Sequence, residues 1–154
     1  MDKIIFRQYD DADKQQVKNL HEAALKSAGA FYKSGKWDGD LDKIPEVYLQ
    51  GGEFLVGFME GRLVVMGALK KISTTTAEIK RMRVLPELQG QGLGKIMLKK
   101  LEDRARQLGF TDLVLDTTVK QVVAQKFYQK YGFTEVRRAT EGWPLEVIFY
   151  KKKL

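Results

Sequence analysis

The segment that most constrains this chain is Gln89-Gly90-Gln91-Gly92-Leu93-Gly94-Lys95, set between a β-rich run that stops before Pro86 and a helix-periodic stretch closed by Gly109. Glycines at alternate positions let the backbone turn with several N–H groups directed into one concavity. The helix that starts there adds its own unpaired N–H groups and the positive end of its dipole, so an anion such as a pyrophosphate is the natural guest. A turn that merely links strand to helix is the structural alternative. A Walker A loop would need Gly at Gln89 and Ser or Thr at Ile96, and a dinucleotide fingerprint would need its third glycine one residue after Gly94. Neither spacing is met, which argues against nucleotide hydrolysis and makes a Rossmann domain a weak fit.

Periodicity orders the rest of the chain around this turn. Residues 3–9 read as a strand and 13–28 as a helix, with Asp13 and Gln16 as a capping box and Val17, Leu20, Ala24 and Ala28 on one face. Residues 30–40 read as a loop and 41–50 as a short helix. Strands at 54–59 and 62–72 meet in a hairpin at Glu60-Gly61, and another runs over 77–85. Met97, Leu101, Ala105 and Leu108 then form the apolar stripe of the clearest helix. A strand at 113–117, a helix at 121–131 and strands at 133–138 and 145–150 complete the order β-α-α-β-β-β-α-β-α-β-β, an α/β mixed sheet.

Composition narrows the partners. At 154 residues with 44% hydrophobic and 31% charged side chains, the chain fits a single domain over 1–154 that buries a core without staples. It has no Cys and one His, which excludes disulfides, thiolate metal sites, a cysteine nucleophile and multi-histidine metal clusters. No apolar run is long enough to span a membrane and the N-terminus lacks a signal-peptide stretch, so a cytoplasmic location is expected. Residues 1–77 hold 11 basic and 11 acidic side chains and residues 78–154 hold 16 and 9, so the net charge of +7 comes from the second half. That excess fits a polyanionic small ligand or a solvated basic face, whereas nucleic acid is disfavoured by the lack of a single basic run or reader motif.

Gln89-x-x-Gly92-x-Gly94, preceded by Met82, Val84 and Pro86, resembles the R/Q-x-x-G-x-G/A loop of the GNAT superfamily of N-acetyltransferases. Downstream, Ala124-x-x-Phe127-Tyr128-x-x-Tyr131-Gly132-Phe133 is similar to the family's later helix-turn-strand motif. Together the two cover about residues 77–135. The resemblance implies a GNAT-like, mostly antiparallel twisted sheet of about seven strands flanked by about four helices. It also implies acetyl-CoA as co-substrate, with the pyrophosphate on the N–H groups of 89–95 (Gln89, Gly90, Gln91, Gly92, Leu93, Gly94, Lys95) and the pantetheine arm along Met82, Arg83 and Val84. Lys95, Lys120, Lys126 and Lys130 are then candidates for the remaining phosphate charge. The family often has Asn where this chain has Gln121, which leaves the polar contact from Gln121 to the pantetheine open.

The resemblance gives Tyr128 the role of protonating the departing CoA thiolate, a step within reach of a phenol of pKa about 10. Packing on the core beside Phe127 is the plainer role for the same ring. An acceptor amine arrives as ammonium and must lose a proton. Glu78, eleven residues before Gln89, has a spacing similar to that of the glutamate base in the histone-modifying branch. Direct attack of a small-molecule or peptide amine in a ternary complex is favoured, because no acyl-cysteine can form. His21 reads as a surface or boundary residue. Phe31, Tyr32, Trp37 and Tyr48 are possible apolar walls for the acceptor, Asp38, Asp40 and Asp42 either face water or attract a cation, and Trp143 is a lid residue or a hairpin anchor. The terminal strand Leu145–Tyr150 is a possible pairing edge for a homodimer, with Lys151–Lys153 as an edge-protecting tail. A non-catalytic acyl-CoA or nucleotide-binding regulatory module is the alternative function.

Overall fold

The structure, a computed structural model, describes residues 3–27, 38–142 and 144–154. Its strands are β1 (Ile5–Gln8), β2 (Glu53–Met59), β3 (Arg62–Lys71), β4 (Thr76–Val84), β5 (Asp112–Thr118), β6 (Thr134–Ala139) and β7 (Val147–Lys153). The helices are α1 (Lys14–Ser27), α2 (Ile44–Tyr48), α3 (Leu93–Gln107) and α4 (Val122–Lys130). The strands form one sheet in the order β1-β2-β3-β4-β5-β7-β6, antiparallel throughout except for β4 beside β5. This is the expected α/β mixed, mostly antiparallel fold, with the single parallel pair joined by the β4-α3-β5 crossover.

β3 sits at the centre of the core. Leu63, Val64, Val65, Met66, Ala68 and Leu69 are all buried, the run expected of a strand covered on both faces. On one face Gly67 admits α3: a Cβ there would lie 2.8 Å from Leu101 Cδ1 and 3.0 Å from Met97 Cγ. The other face packs against α1 and α2. The β2–β3 hairpin closes at Glu60 and Gly61, which take φ of +51° and +77°, the left-handed pair of a type I′ turn.

Several boundaries differ from the sequence reading for identifiable reasons. The capping box lies one turn earlier than Asp13/Gln16: Asp10 Oδ1 accepts from Ala12 N–H and Asp13 Oδ2 accepts from Asp10 N–H, both at 2.9 Å. Gln16 instead accepts from Leu63 N–H at 3.1 Å and ties α1 to β3. The helix expected at 41–50 is split at Lys43 into a 3-10 turn (Gly39–Asp42) and the five-residue α2. Lys151–Lys153 are no tail. They belong to β7, which is paired with β5 on one side and β6 on the other. The terminal strand therefore has no free edge for the dimer pairing considered above.

Candidate active site

The turn before α3 has the expected form. A 3-10 turn at Pro86–Leu88 brings the chain to Gly90 and Gly92, at φ +79° and +89°. The N–H groups of residues 90–95 donate to no acceptor among the described residues, the first helical bond being Ile96 N–H to Gly92 O at 3.1 Å. Gln89 is the exception to the expected set, because its N–H closes the turn on Pro86 O at 3.3 Å. Six consecutive unpaired donors thus lie at the positive end of a 15-residue helix.

The two glycines of the motif are required for different reasons. Gly92 has open space around it but a left-handed φ, so Gly92→Ala is expected to cost about 1–2 kcal/mol through backbone strain. At Gly94 a Cβ would make ordinary contacts, 3.5 Å from the Phe127 ring and 3.9 Å from Val84 Cγ2. Gly94→Ala is therefore expected to stabilise α3 by roughly 0.5 kcal/mol. Thermal melts of the two variants check the contrast, and equal losses would contradict it.

Beside this cradle the sheet splits. β4 and β5 pair only over Thr76–Glu78 and Asp112–Val114, after which β5 follows β7 and the β5-facing edge of β4 has no strand partner. A bulge sharpens the feature: Met66 pairs Arg83 and Ala68 pairs Lys80, so Gly67 faces both Arg81 and Met82. Arg81 takes a left-handed φ of +57°. Strict alternation from Ile79, the partner of Leu69, would send Arg81 and Arg83 to the α3 side. The extra residue reverses the phase. Met82 then lies on α3 beneath Gly67, while Arg81 and Arg83 reach the α1 and α2 side.

There the two arginines organise a polar chain. Arg81 pairs with Asp40 at 2.5 Å and Asp38 at 3.4 Å, and Asp40 also accepts from the fully buried Tyr48 hydroxyl. Asp38 contacts His21 Nε2 at 3.1 Å, and His21 Nδ1 accepts from Arg83 Nε at 3.4 Å. Because Arg83 can only donate, this pattern assigns the hydrogen of a neutral imidazole to Nε2. Burial, then the charges of Arg83 and Arg81, hold the His21 pKa below its usual value, in keeping with that neutral form. His21 is thus an interior residue, 3% exposed, and Tyr48 belongs to the core instead of an acceptor wall. Asp42 remains outside, paired with Lys18 at 2.6 Å.

Tyr128 closes the other end of the chain. Its ring is buried edge-on to Phe127 and Phe133, with centroids 5.2 and 5.5 Å away. Burial raises its pKa and the neighbouring Arg83 charge pulls it back down. The hydroxyl has no hydrogen-bond partner among the described residues, and the Arg83 charge lies near enough to act on it.

Glu78 lies on β4 at the point of the split, opposite Lys70. Burial first, and then the charge of the nearby Asp116 carboxyl, raise its pKa from the ordinary glutamate value against the pull of Lys80. Asp116 is shifted upward as well, by burial. No hydrogen bond or ion pair joins Glu78 to Tyr128. Lys95 and Lys130 meet over the Tyr131 ring, with Nζ 6.0 and 5.5 Å from its centroid and no acidic partner among the described residues. Gln121 spends its side-chain oxygen on Thr118 N–H at 2.7 Å, at the start of α4, leaving only its amide nitrogen for a ligand. Phe31, Tyr32, Trp37 and Trp143 lie outside the described residues.

A run of unpaired N–H groups at a helix N-terminus, beside a mixed sheet that opens between its two parallel strands, defines a class of α/β domain with a place suited to an anion. Residues 15–133 match the sequence profile of the Acetyltransferase (GNAT) family, and the chain belongs to that family. It is 38% identical over 84 residues to the IAA acetyltransferase of Azospirillum brasilense, a match covering 53% of this chain and 54% of that protein. The chain thus spans about half the length of that curated relative. An acetyltransferase of the GNAT family from Staphylococcus aureus Mu50 superposes with a TM-score of 0.88 at 23% identity, covering 99% of both chains. The PaiA N-acetyltransferase of Thermoplasma acidophilum, in complex with coenzyme A, superposes with a TM-score of 0.77 at 20% identity, again over 99% of each. At these identities the likeness is one of fold. Among the described residues no helix is long and apolar enough to cross a membrane.

Proposed function

We propose that this chain transfers the acetyl group of acetyl-CoA to a primary amine by direct attack in a ternary complex. The observation that carries the reading is the run of free N–H donors over residues 90–95 at the mouth of the β4–β5 split. CoA supplies a pyrophosphate for that cradle, an amide-bearing arm for the unpaired edge of Met82, Arg83 and Val84, and further phosphate charge for Lys95 and Lys130. The coenzyme A held by the Thermoplasma PaiA protein, of the same fold, supports this assignment. In the reaction the amine nitrogen attacks the thioester carbonyl carbon, and the C–S bond then breaks. Tyr128 donates its proton to the departing sulfur, and the proton lost by the amine passes to Glu78, directly or through water.

Binding is tested first by thermal shift with acetyl-CoA, CoA, NAD and ATP. CoA species at 100 times Kd are expected to add about 2.7 kcal/mol, or roughly 5–10 °C at this chain length. No CoA shift, or a larger one with NAD or ATP, would refute the reading, while binding without thiol release on any amine would leave the regulatory-module alternative.

Glu78 has its own signature. Because burial raises its pKa, the acid limb of the wild-type kcat/KM profile is expected above the ordinary carboxylate range of about 4.3. Glu78→Gln is expected to lose roughly 100-fold near neutral pH and to recover at alkaline pH, where the amine loses its proton unaided. A uniform loss across pH would remove Glu78 from the base role.

A further inference from the structure

We infer that Arg83 binds a carboxylate on the acceptor, so that the amine acetylated belongs to a molecule of the amino-acid class with a free carboxylate. The inference rests on the acetyl-transfer reading above and names its second substrate.

Arg81 and Arg83 are two residues apart on the same side of β4, but they are neutralised differently. Arg81 is held by Asp38 and Asp40, whereas Arg83 has no ion pair with any carboxylate among the described residues. The undescribed residues add only one acid to the chain, Asp2. Asp38 is the nearest candidate, and its Oδ1 is already engaged by His21 and Arg81. Asp38 and Asp40 act on Arg83 by charge but make no ion pair with it, and a partly buried guanidinium with no carboxylate in contact gains from an anionic ligand that pairs with it directly.

The guanidinium is also held in place. Nε donates to His21 Nδ1 at 3.4 Å and one terminal nitrogen donates to Met82 O at 2.9 Å. The other terminal nitrogen has no acceptor among the described residues, and Arg83 is only partly buried. A planar fork fixed on one edge and free on the other suits two parallel hydrogen bonds to a carboxylate.

Location selects the acceptor over the cofactor. The phosphates of CoA have their cradle at residues 90–95 at the start of α3, whereas Arg83 reaches the α1 side of the sheet, where it donates to His21. A carboxylate held there belongs to the molecule whose amine meets the thioester. The same unneutralised charge disfavours acceptors that carry a second cation, such as polyamines.

The test compares free amino acids with their carboxamides, and dipeptides with dipeptide amides, by CoA thiol release. Acetyl-CoA binding is measured first by calorimetry. Its absence would overturn the transfer reading and this assignment together, whereas binding without a carboxylate preference would overturn this assignment alone. The expected wild-type result is a kcat/KM higher for the acid than for the amide by on the order of 30- to 100-fold, the size of a charged hydrogen-bond pair. Preference confined to free amino acids, or shared by dipeptides, distinguishes the two sources of the carboxylate. Arg83→Gln, assayed with acid and amide at saturating acetyl-CoA, is expected to bring the ratio within about threefold. Arg83→Lys, which keeps the charge but loses the fork, is expected to fall between. Equal use of acid and amide by the wild type, or an Arg83→Gln loss equal for both, would overturn the assignment.

Discussion

Tyr128→Phe is expected to lower kcat about 100-fold, at the lower end of what general acid catalysis supplies, with acetyl-CoA affinity and thermal stability nearly unchanged. The structure separates these effects. The ring packs against Phe127 and Phe133, and Phe retains that packing, while the hydroxyl makes no hydrogen bond whose loss would cost stability. What disappears is the proton. Burial raises the phenol pKa, so Tyr128 is protonated throughout the working range and available as an acid, and the neighbouring Arg83 charge favours the phenolate left behind. Without that proton the sulfur must leave as thiolate, so the loss is expected in kcat and not in binding. The measurement is kcat and the alkaline limb of its pH profile for both proteins, with calorimetry for acetyl-CoA. A variant within about threefold of wild-type kcat would leave Tyr128 as a packing residue.

The cradle and its surroundings were legible because local rules govern them. Alternating glycines after a strand, a stripe of Met97, Leu101 and Ala105, and a closing Gly109 describe β4, the turn and α3 without reference to the rest of the chain. Even the separate roles of Gly92 and Gly94 follow the motif, which tolerates Ala at the second position alone. What periodicity missed is long-range. The bulge at Arg81 has no marker, since the residue with positive φ is arginine and not glycine, and a period of two predicts the wrong face for everything after it. The chain from Tyr48 to Arg83 depends on that reversal, which is why His21 read as a boundary residue. One signal was available: three cations in Lys80-Arg81-Met82-Arg83, within a strand otherwise half-buried, require acids brought from elsewhere, and Asp38 and Asp40 stand in the nearest acid-rich loop. β7 shows the same limit. Nothing in Lys151–Lys153 reports that β6 folds back to cover the outer edge of that strand.

Asp40→Ala is expected to be the most destabilising single change in this polar chain, by about 3–5 kcal/mol, because it removes the closest carboxylate from a guanidinium only 11% exposed and the acceptor of the buried Tyr48 hydroxyl. Asp40 accepts two hydrogen bonds from Arg81, at 2.9 and 2.5 Å, and a third from Tyr48, whose side chain is fully buried. The alanine variant takes from Arg81 its closest carboxylate, Asp38 lying at 3.4 Å, and leaves the Tyr48 hydroxyl without its acceptor. Against a typical stability of about 5–15 kcal/mol this is a large fraction, and the melting temperature should fall by roughly 6–20 °C. Asp40→Ala combined with Arg81→Met is expected to recover part of the loss, since the guanidinium whose closest carboxylate was removed goes with it. Protonation provides the same test without mutation. Burial pushes the Asp40 pKa up, but the Arg81 hydrogen bond and charge, with the Tyr48 hydrogen bond, together outweigh it and the native value lies below that of an ordinary aspartate. Its contribution is therefore complete above about pH 4, the unfolded value, and is withdrawn as pH falls through the native value. Denaturant titrations between neutral pH and about pH 3 should show wild-type stability converging on that of Asp40→Ala as acidity rises. A gap that stays constant across this range would mean that Asp40 acts through packing and not through its charge on Arg81.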